Sequence, residues 1–118
     1  MLRRLRQVAY SRVVTWAQEY LFREPLVDLR EDPAQADVFA AELRREVAPG
    51  HPLAGRAWRV IARALPNDDI VIESGDAVAV VHLTWIQKQD RPPWPRTTFV
   101  TSVEEFGSYV RSEFDCEP

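Results

Sequence analysis

The chain has 118 residues, of which 46% are hydrophobic, and its formal net charge is −3 at pH 7. This length suits one domain with one hydrophobic core, and the apolar fraction argues against a chain that is disordered by composition. A net-acidic domain lacks the dense basic surface with which proteins bind nucleic acid, so the charge argues against that class of partner.

The N-terminus and the cysteine content predict a cytoplasmic protein. Arg3, Arg4 and Arg6 resemble the basic start of a signal peptide, but no uninterrupted apolar run follows them. No stretch approaches the roughly 18 consecutive apolar residues of a membrane span, so we expect no membrane segment. Cys116 is the only cysteine, and one thiol cannot form the internal disulfide that would indicate an oxidising compartment.

Residues 2–22 are predicted to form an amphipathic helix, because apolar side chains recur at steps of three and four residues. This stripe consists of Leu2, Leu5, Ala9, Val13, Trp16 and Tyr20. Pro25 ends the pattern, since the residue before a proline is displaced from the α region. The basic face could contact phosphates or an acidic partner, or it could simply be solvated. It carries Arg3, Arg4, Arg6 and Arg12.

Residues 33–47 are predicted to form the second helix. Asp32 can cap it, Pro33 suits the first helical position, and Gln35 completes an arrangement like a capping box. The expected buried face consists of Ala36, Phe39, Leu43 and Val47. The short apolar run 26–29 that precedes this helix could be an edge strand or an extended connection.

From residue 58 the apolar period changes from about 3.6 to 2, which predicts a sheet within residues 57–101. The expected strands cover residues 58–64, 70–72, 77–86 and 97–101. Gly75 and Asp76 are typical of a type II′-like hairpin turn between the second and third strands. Ser102 with Glu105 resembles a second capping box, which would open a helix over residues 103–114.

The order of these elements predicts a single α+β domain over residues 1–118. Helices that are separated from strands along the chain are typical of an antiparallel sheet with helices beside it. The expected sheet is a three- to four-stranded β-meander, packed on one face by two N-terminal helices and a short C-terminal helix.

The third predicted strand places a histidine on a mixed face of the sheet. Its core face would hold Ala77, Ala79, Val81, Leu83 and Trp85. His82 and Thr84 would lie on the opposite face. An imidazole titrates near neutral pH, so His82 is a candidate general base or metal ligand. A structural or surface histidine is the alternative interpretation.

Three more residues are catalytic candidates, although none belongs to a catalytic motif. His51 lies thirty-one residues before His82, whereas zinc motifs have short fixed spacings, so we predict no metal site. Asp68 and Asp69 would point to opposite sides of an extended backbone and would not share a proton. Turn formation is their alternative role. No nucleophile elbow and no phosphate-binding glycine run occurs, so we expect no cofactor.

The loop around residues 90–96 is the predicted binding segment. Its prolines restrict the chain, so less entropy would be lost on binding. Trp94 with Arg91 and Arg96 beside it has the composition of an interface hot spot. The equal alternative is that Trp94 folds back onto the sheet. Trp85 completes the set of predicted binding residues.

Residues 50–106 resemble a group of short bacterial hypothetical proteins. The shared pattern is His-Pro-Leu-x-Gly, Ile-Ala-Arg, Asp-Asp and Val-His-Leu-Thr-Trp, followed by a Pro-rich loop and a Phe-bearing helix. The resemblance implies a bacterial, cytoplasmic protein, but it carries over no activity, cofactor or partner. Residues 1–49 have no such match.

These observations predict a small non-enzymatic bacterial protein that binds another protein, of a regulatory or immunity type. The unpaired edges of a short sheet would also allow a homodimer. The alternative function is an enzyme or small-ligand binder that uses the sheet face around His82 and Thr84.

Overall fold

The computed structural model describes residues 16–65 and 67–113. Most of the predicted first helix lies outside these residues, as do its four basic side chains and Cys116. Helix α1 spans Trp16–Glu19 of the described chain. No helix in the described chain has both the length and the apolar character needed to cross a lipid bilayer.

The predicted continuation of the first helix to residue 22 is wrong, because an arginine from later in the chain occupies its C-terminal end. The Arg30 guanidinium donates to the carbonyl oxygens of Ala17 at 2.8 Å and Tyr20 at 2.7 Å. Carbonyls at a helix end have no partner within the helix, and a cation satisfies them well. Asp28 holds this guanidinium through an ion pair of 2.7 Å.

Helix α2 spans Pro33–Glu46, and its start confirms the predicted cap. The carboxylate of Asp32 accepts hydrogen bonds from the backbone N–H of Gln35 at 3.2 Å and from its side-chain amide at 3.1 Å. Phe39 and Leu43 are buried on the face that the periodicity predicted.

The sheet has five antiparallel strands in the described chain, in the order β1-β2-β3-β4-β5. They are β1 (Leu26–Asp28), β2 (Arg59–Ala64), β3 (Ile70–Ser74), β4 (Ala77–His82) and β5 (Arg96–Val100). Helix α3 follows at Val103–Glu113. The antiparallel α+β class is therefore confirmed, whereas the expected three or four strands are corrected to five. The three residues of β1 are too few to show an alternating apolar pattern in the sequence. The pairing of Leu26 with Ala64 makes them a strand.

Both faces of this sheet are covered, which corrects the prediction of helices on one face. One core lies between the sheet and helices α1 and α3, with Phe106 at its centre. The other core lies between the sheet and α2, and it contains Phe39 and Leu43. In β4, Val80 points into the first core and Val81 into the second. A strand that is apolar at successive positions is typical of a sheet buried on both sides.

The turn between β3 and β4 confirms the predicted hairpin. Ser74 pairs with Ala77, which leaves Gly75 and Asp76 as a two-residue connection. Gly75 has a φ of 59°, a conformation that glycine adopts without the steric cost of a side chain.

Candidate functional site

The chain leaves the sheet at His82, four residues earlier than predicted, and forms the β4–β5 loop over residues 83–95. Trp85 and Gln87 adopt φ values of 58° and 62°. Non-glycine residues seldom adopt positive φ, so the surroundings must hold this backbone in place. The loop carries the predicted binding residues, and its anchoring therefore determines how they are presented.

Two buried glutamates of α2 hold the start of this loop. Glu46 is fully buried, and its two carboxylate oxygens accept the backbone N–H groups of Thr84 at 2.9 Å and Trp85 at 2.7 Å. Glu42 is also fully buried and accepts the N–H of Gln87 at 3.0 Å. These carboxylates supply the acceptors that a neighbouring strand would give to a regular strand.

The two buried glutamates interact, and their pKa values shift in opposite directions. The pKa of Glu46 is raised to about 7, first by burial and then by its hydrogen bond with Glu42, against the lowering effect of the Thr84 and Trp85 amides. Burial also acts to raise the pKa of Glu42, but hydrogen bonds from Glu46, Gln87 and Arg45 outweigh it and leave this pKa below its usual value. Two carboxyl groups in contact avoid being charged together, so Glu46 carries the proton.

We expect the free energy of unfolding to fall as the pH rises from about 4.5 to about 7. In this window folded Glu46 keeps a proton that the unfolded chain has lost, so each rise in pH favours unfolding. Urea denaturation at several pH values, on the native protein and on Glu46→Gln, would measure this slope. Glu46→Gln should be less stable overall but should lose this part of the slope. Equal slopes would contradict the assignment.

His51 anchors the far end of the β4–β5 loop. The backbone N–H of Leu53 donates to Nδ1 of His51 at 3.0 Å, so the ring hydrogen must lie on Nε2. Nε2 then donates to the carbonyl oxygen of Pro95 at 2.9 Å. Both ring nitrogens are thus occupied within a buried site. The structure therefore gives His51, a predicted catalytic candidate, a role in anchoring the loop.

Trp94 and Arg91 lie on the exposed part of the loop. Between the two anchors, the N–H of Asp90 donates to the carbonyl oxygen of Glu46 at 3.0 Å. The N–H of Trp94 donates to the carbonyl of Arg91 at 2.9 Å and closes a turn. The Trp94 side chain keeps 43% of its surface exposed. The loop is therefore held at several points while Trp94 stays partly exposed.

An apolar groove of about 690 Å³ lies between α2 and residues 49–58. Its lining includes Leu43, Val47, Leu53, Trp58 and, from the β4–β5 loop, Gln89. Two arginines, Arg44 and Arg56, also line it, whereas no carboxylate does.

The apolar surface extends from this groove to the last strand. The indole N–H of Trp58 donates to the carbonyl of Leu53 at 2.9 Å, which fixes the ring orientation. The Trp58 ring lies 6.4 Å from that of Phe99, which is 43% exposed on β5. His51 ties Pro95, which follows Trp94 in the chain, to the segment beside the groove.

Thr84 does not continue β4 on the face of His82, because the strand ends at His82. The Thr84 hydroxyl donates to Asp90 at 3.2 Å within the loop. The Trp85 ring packs edge to face against Phe39, with centroids 5.6 Å apart, on the α2 side of the sheet. The prediction for Thr84 required β4 to continue to residue 86 with side chains on alternate faces. Because the strand ends at His82, this alternation of faces stops there.

His82 instead pairs with one of the two predicted aspartates. Its Nδ1 lies 2.6 Å from Oδ1 of Asp69, which is buried, while the His82 side chain is 41% exposed. Burial raises the pKa of Asp69 against the lowering effect of His82. Asp68 turns away and pairs with Arg63. The adjacent aspartates thus diverge, as the sequence predicted.

Sequence reasoning missed Glu42 and Glu46, although they contribute most to the anchoring of the loop. One signal was available, because Glu46 follows the buried Phe39 by seven residues and falls on the same side of the helix. An acidic residue within a predicted apolar stripe indicates a buried carboxylate that needs donors from elsewhere in the fold.

In the described residues, no three histidine, cysteine, aspartate or glutamate side chains are grouped as a metal site. Comparisons of the chain with protein-family models, with curated proteins and with solved structures yield no match.

Proposed function

We propose that this protein binds another protein through a surface formed by the groove, Trp94 and Phe99, which we call the groove surface. The main support is Trp94, whose side chain stays 43% exposed on a loop that is hydrogen-bonded at Asp90 and Pro95. Large aromatic side chains held in one place are typical interface hot spots. An ordered loop also loses little conformational freedom on binding.

The charge of the groove surface favours an acidic segment of the partner. Arg44 and Arg56 line the groove, and Arg91 lies on the loop that carries Trp94. None of the three forms an ion pair with a carboxylate of the described residues. Arg56 stacks over the Trp58 ring at 5.1 Å, which keeps its guanidinium beside the apolar wall. Complementary charge would set the orientation of the partner and accelerate its association.

A regulatory or immunity-type role is part of this proposal. Its setting would be a bacterial cytoplasm, which the sequence resemblance implies. A second copy of the same chain is the alternative occupant. Strand β5 is at the edge of the described sheet, and an exposed edge can pair with another chain.

Trp94→Ala is expected to weaken partner binding by about 2 kcal/mol, or roughly 30-fold in Kd, because it removes the exposed anchor. Its stability should change much less than its affinity for the partner, since Trp94 is partly exposed. Tagged wild-type and variant proteins would be used to capture partners from a lysate of the natural source. Partners identified by mass spectrometry would then be purified for measurement of Kd.

Leu21→Ala is the matched control, because Leu21 is 80% exposed and precedes β1, remote in sequence from the loop and groove. Loss of a stoichiometric partner from Trp94→Ala but not from Leu21→Ala would support the proposal. Equal capture by all three proteins would contradict it. Sedimentation of the purified protein would reveal self-association, which Trp94→Ala should then abolish if the second copy is the occupant.

A further inference from the structure

A second polar cluster lies on the other face of the sheet, the one covered by α1 and α3. His82 on β4 pairs directly with Arg96 on β5, and directly opposite residues of antiparallel strands point to the same face. Asp69 precedes β3 on the other side of His82 and bonds to it at 2.6 Å. The three side chains therefore form a row across neighbouring strands.

Asp69 fixes which nitrogen of His82 can meet a ligand. The buried carboxylate accepts the hydrogen on Nδ1, so the ring is held with Nε2 as its other polar atom. Among the described residues, no hydrogen bond of His82 Nε2 is seen. The buried side-chain atoms without a partner are in Arg63 and Trp85, so Nε2 is not one of them. Arg96 likewise forms no ion pair there within 4.0 Å and is exposed.

The other charged and titratable groups near this row limit what it can bind. Asp69 neutralises one positive charge when His82 is protonated. Helix α3 contributes Tyr109, whose pKa is raised by burial and by the charges of Asp69 and Glu113. Glu113 is exposed, and its negative charge acts on Asp69. Two donors, His82 Nε2 and the Arg96 guanidinium, remain for an anion.

We propose that His82 and Arg96 form a binding site for a phosphate-class oxyanion, with Asp69 as the positioning residue. The guanidinium fork and Nε2–H together present three N–H donors on one face, which match the several oxygens of a phosphate better than the two oxygens of a carboxylate. Nε2 donates only when the ring is protonated, because Nδ1–H is already given to Asp69. The site lies on the opposite face of the sheet from the groove between α2 and residues 49–58.

Histidine-ring NMR with inorganic phosphate tests this site directly, because the chain has only two histidines. At about pH 6 and constant ionic strength, phosphate should shift the His82 ring signals to saturation. The His51 signals should stay unchanged, since both of its ring nitrogens bond within the protein. Acetate and chloride serve as the carboxylate and non-oxyanion arms.

Arg96→Gln should weaken phosphate binding roughly tenfold or more, because it removes a charge-assisted hydrogen bond. Arg44→Gln is the control, since it makes the same charge change on the α2 side of the molecule. The proposal is overturned if phosphate leaves the His82 signals unmoved, or if the two variants weaken binding equally. Equal binding of acetate would overturn the phosphate assignment.

Discussion

Glu46→Ala is expected to lower the free energy of unfolding by roughly 2–4 kcal/mol, because it leaves two partly buried backbone donors without an acceptor. The N–H groups of Thr84 and Trp85 both point at the Glu46 carboxyl, at 2.9 and 2.7 Å. Each orphaned donor costs about 1–3 kcal/mol, and relief from burying the carboxyl group itself offsets part of that sum. A domain with roughly 5–15 kcal/mol of stability would be close to unfolding.

Urea denaturation followed by tryptophan fluorescence would measure this loss. Amide hydrogen exchange would locate it. The N–H groups of Thr84, Trp85 and Gln87 in the loop should exchange faster in the variant, whereas those of the sheet should change less. Glu104→Ala is the control, since Glu104 is an exposed acidic residue of α3. A Glu46→Ala protein that unfolds at the same urea concentration as Glu104→Ala would mean that the glutamate does not hold the loop.

The elements of this fold that sequence predicted best are those defined by neighbours along the chain. The cap of α2 needs only Asp32 and Gln35, three residues apart. The start of α3 is similar, because Ser102 accepts the N–H of Glu105 at 3.1 Å. The hairpin at Gly75 depends on two residues. In each case the chemistry acts within one turn of chain, so the local pattern contains it.

The features that sequence did not predict depend on partners distant along the chain. Glu46 bonds to Trp85 across thirty-nine residues, and this contact, together with positive φ, ends β4 early. Leu26 becomes part of a strand only because Ala64 is there to pair with it. The second covered face follows from where α1 and α3 fold back, which the alternation within a strand does not specify.

The candidate sites divide in the same way. Trp94 and Arg91 were predicted from composition alone, because prolines and an aromatic side chain mark a loop that can bind. The His82 site needed the register of the sheet, since Asp69 and Arg96 reach the histidine from two different neighbours. A histidine on a predicted strand indicated that a site was plausible, but only strand pairing identified its companions.

Phe106→Ala is expected to lower the free energy of unfolding by roughly 3–5 kcal/mol, the range for removing a large aromatic side chain from a core. Phe106 is fully buried and is surrounded by three rings from the segment around α1. Its ring centroid lies 5.2 Å from those of both Trp16 and Tyr20 and 6.2 Å from that of Phe22. Truncation would leave a cavity and remove every one of these aromatic contacts.

Val103→Ala is the matched control, because Val103 belongs to the same helix but is 40% exposed. Its unfolding free energy should stay within about 0.5 kcal/mol of the native value. Phe106 also holds α3 against the sheet, and α3 carries Tyr109 beside the His82 row. Phe106→Ala should therefore disturb the His82 ring signals while leaving His51, in the other core, unchanged. Equal stability of the two variants would show that α3 and α1 do not share one core.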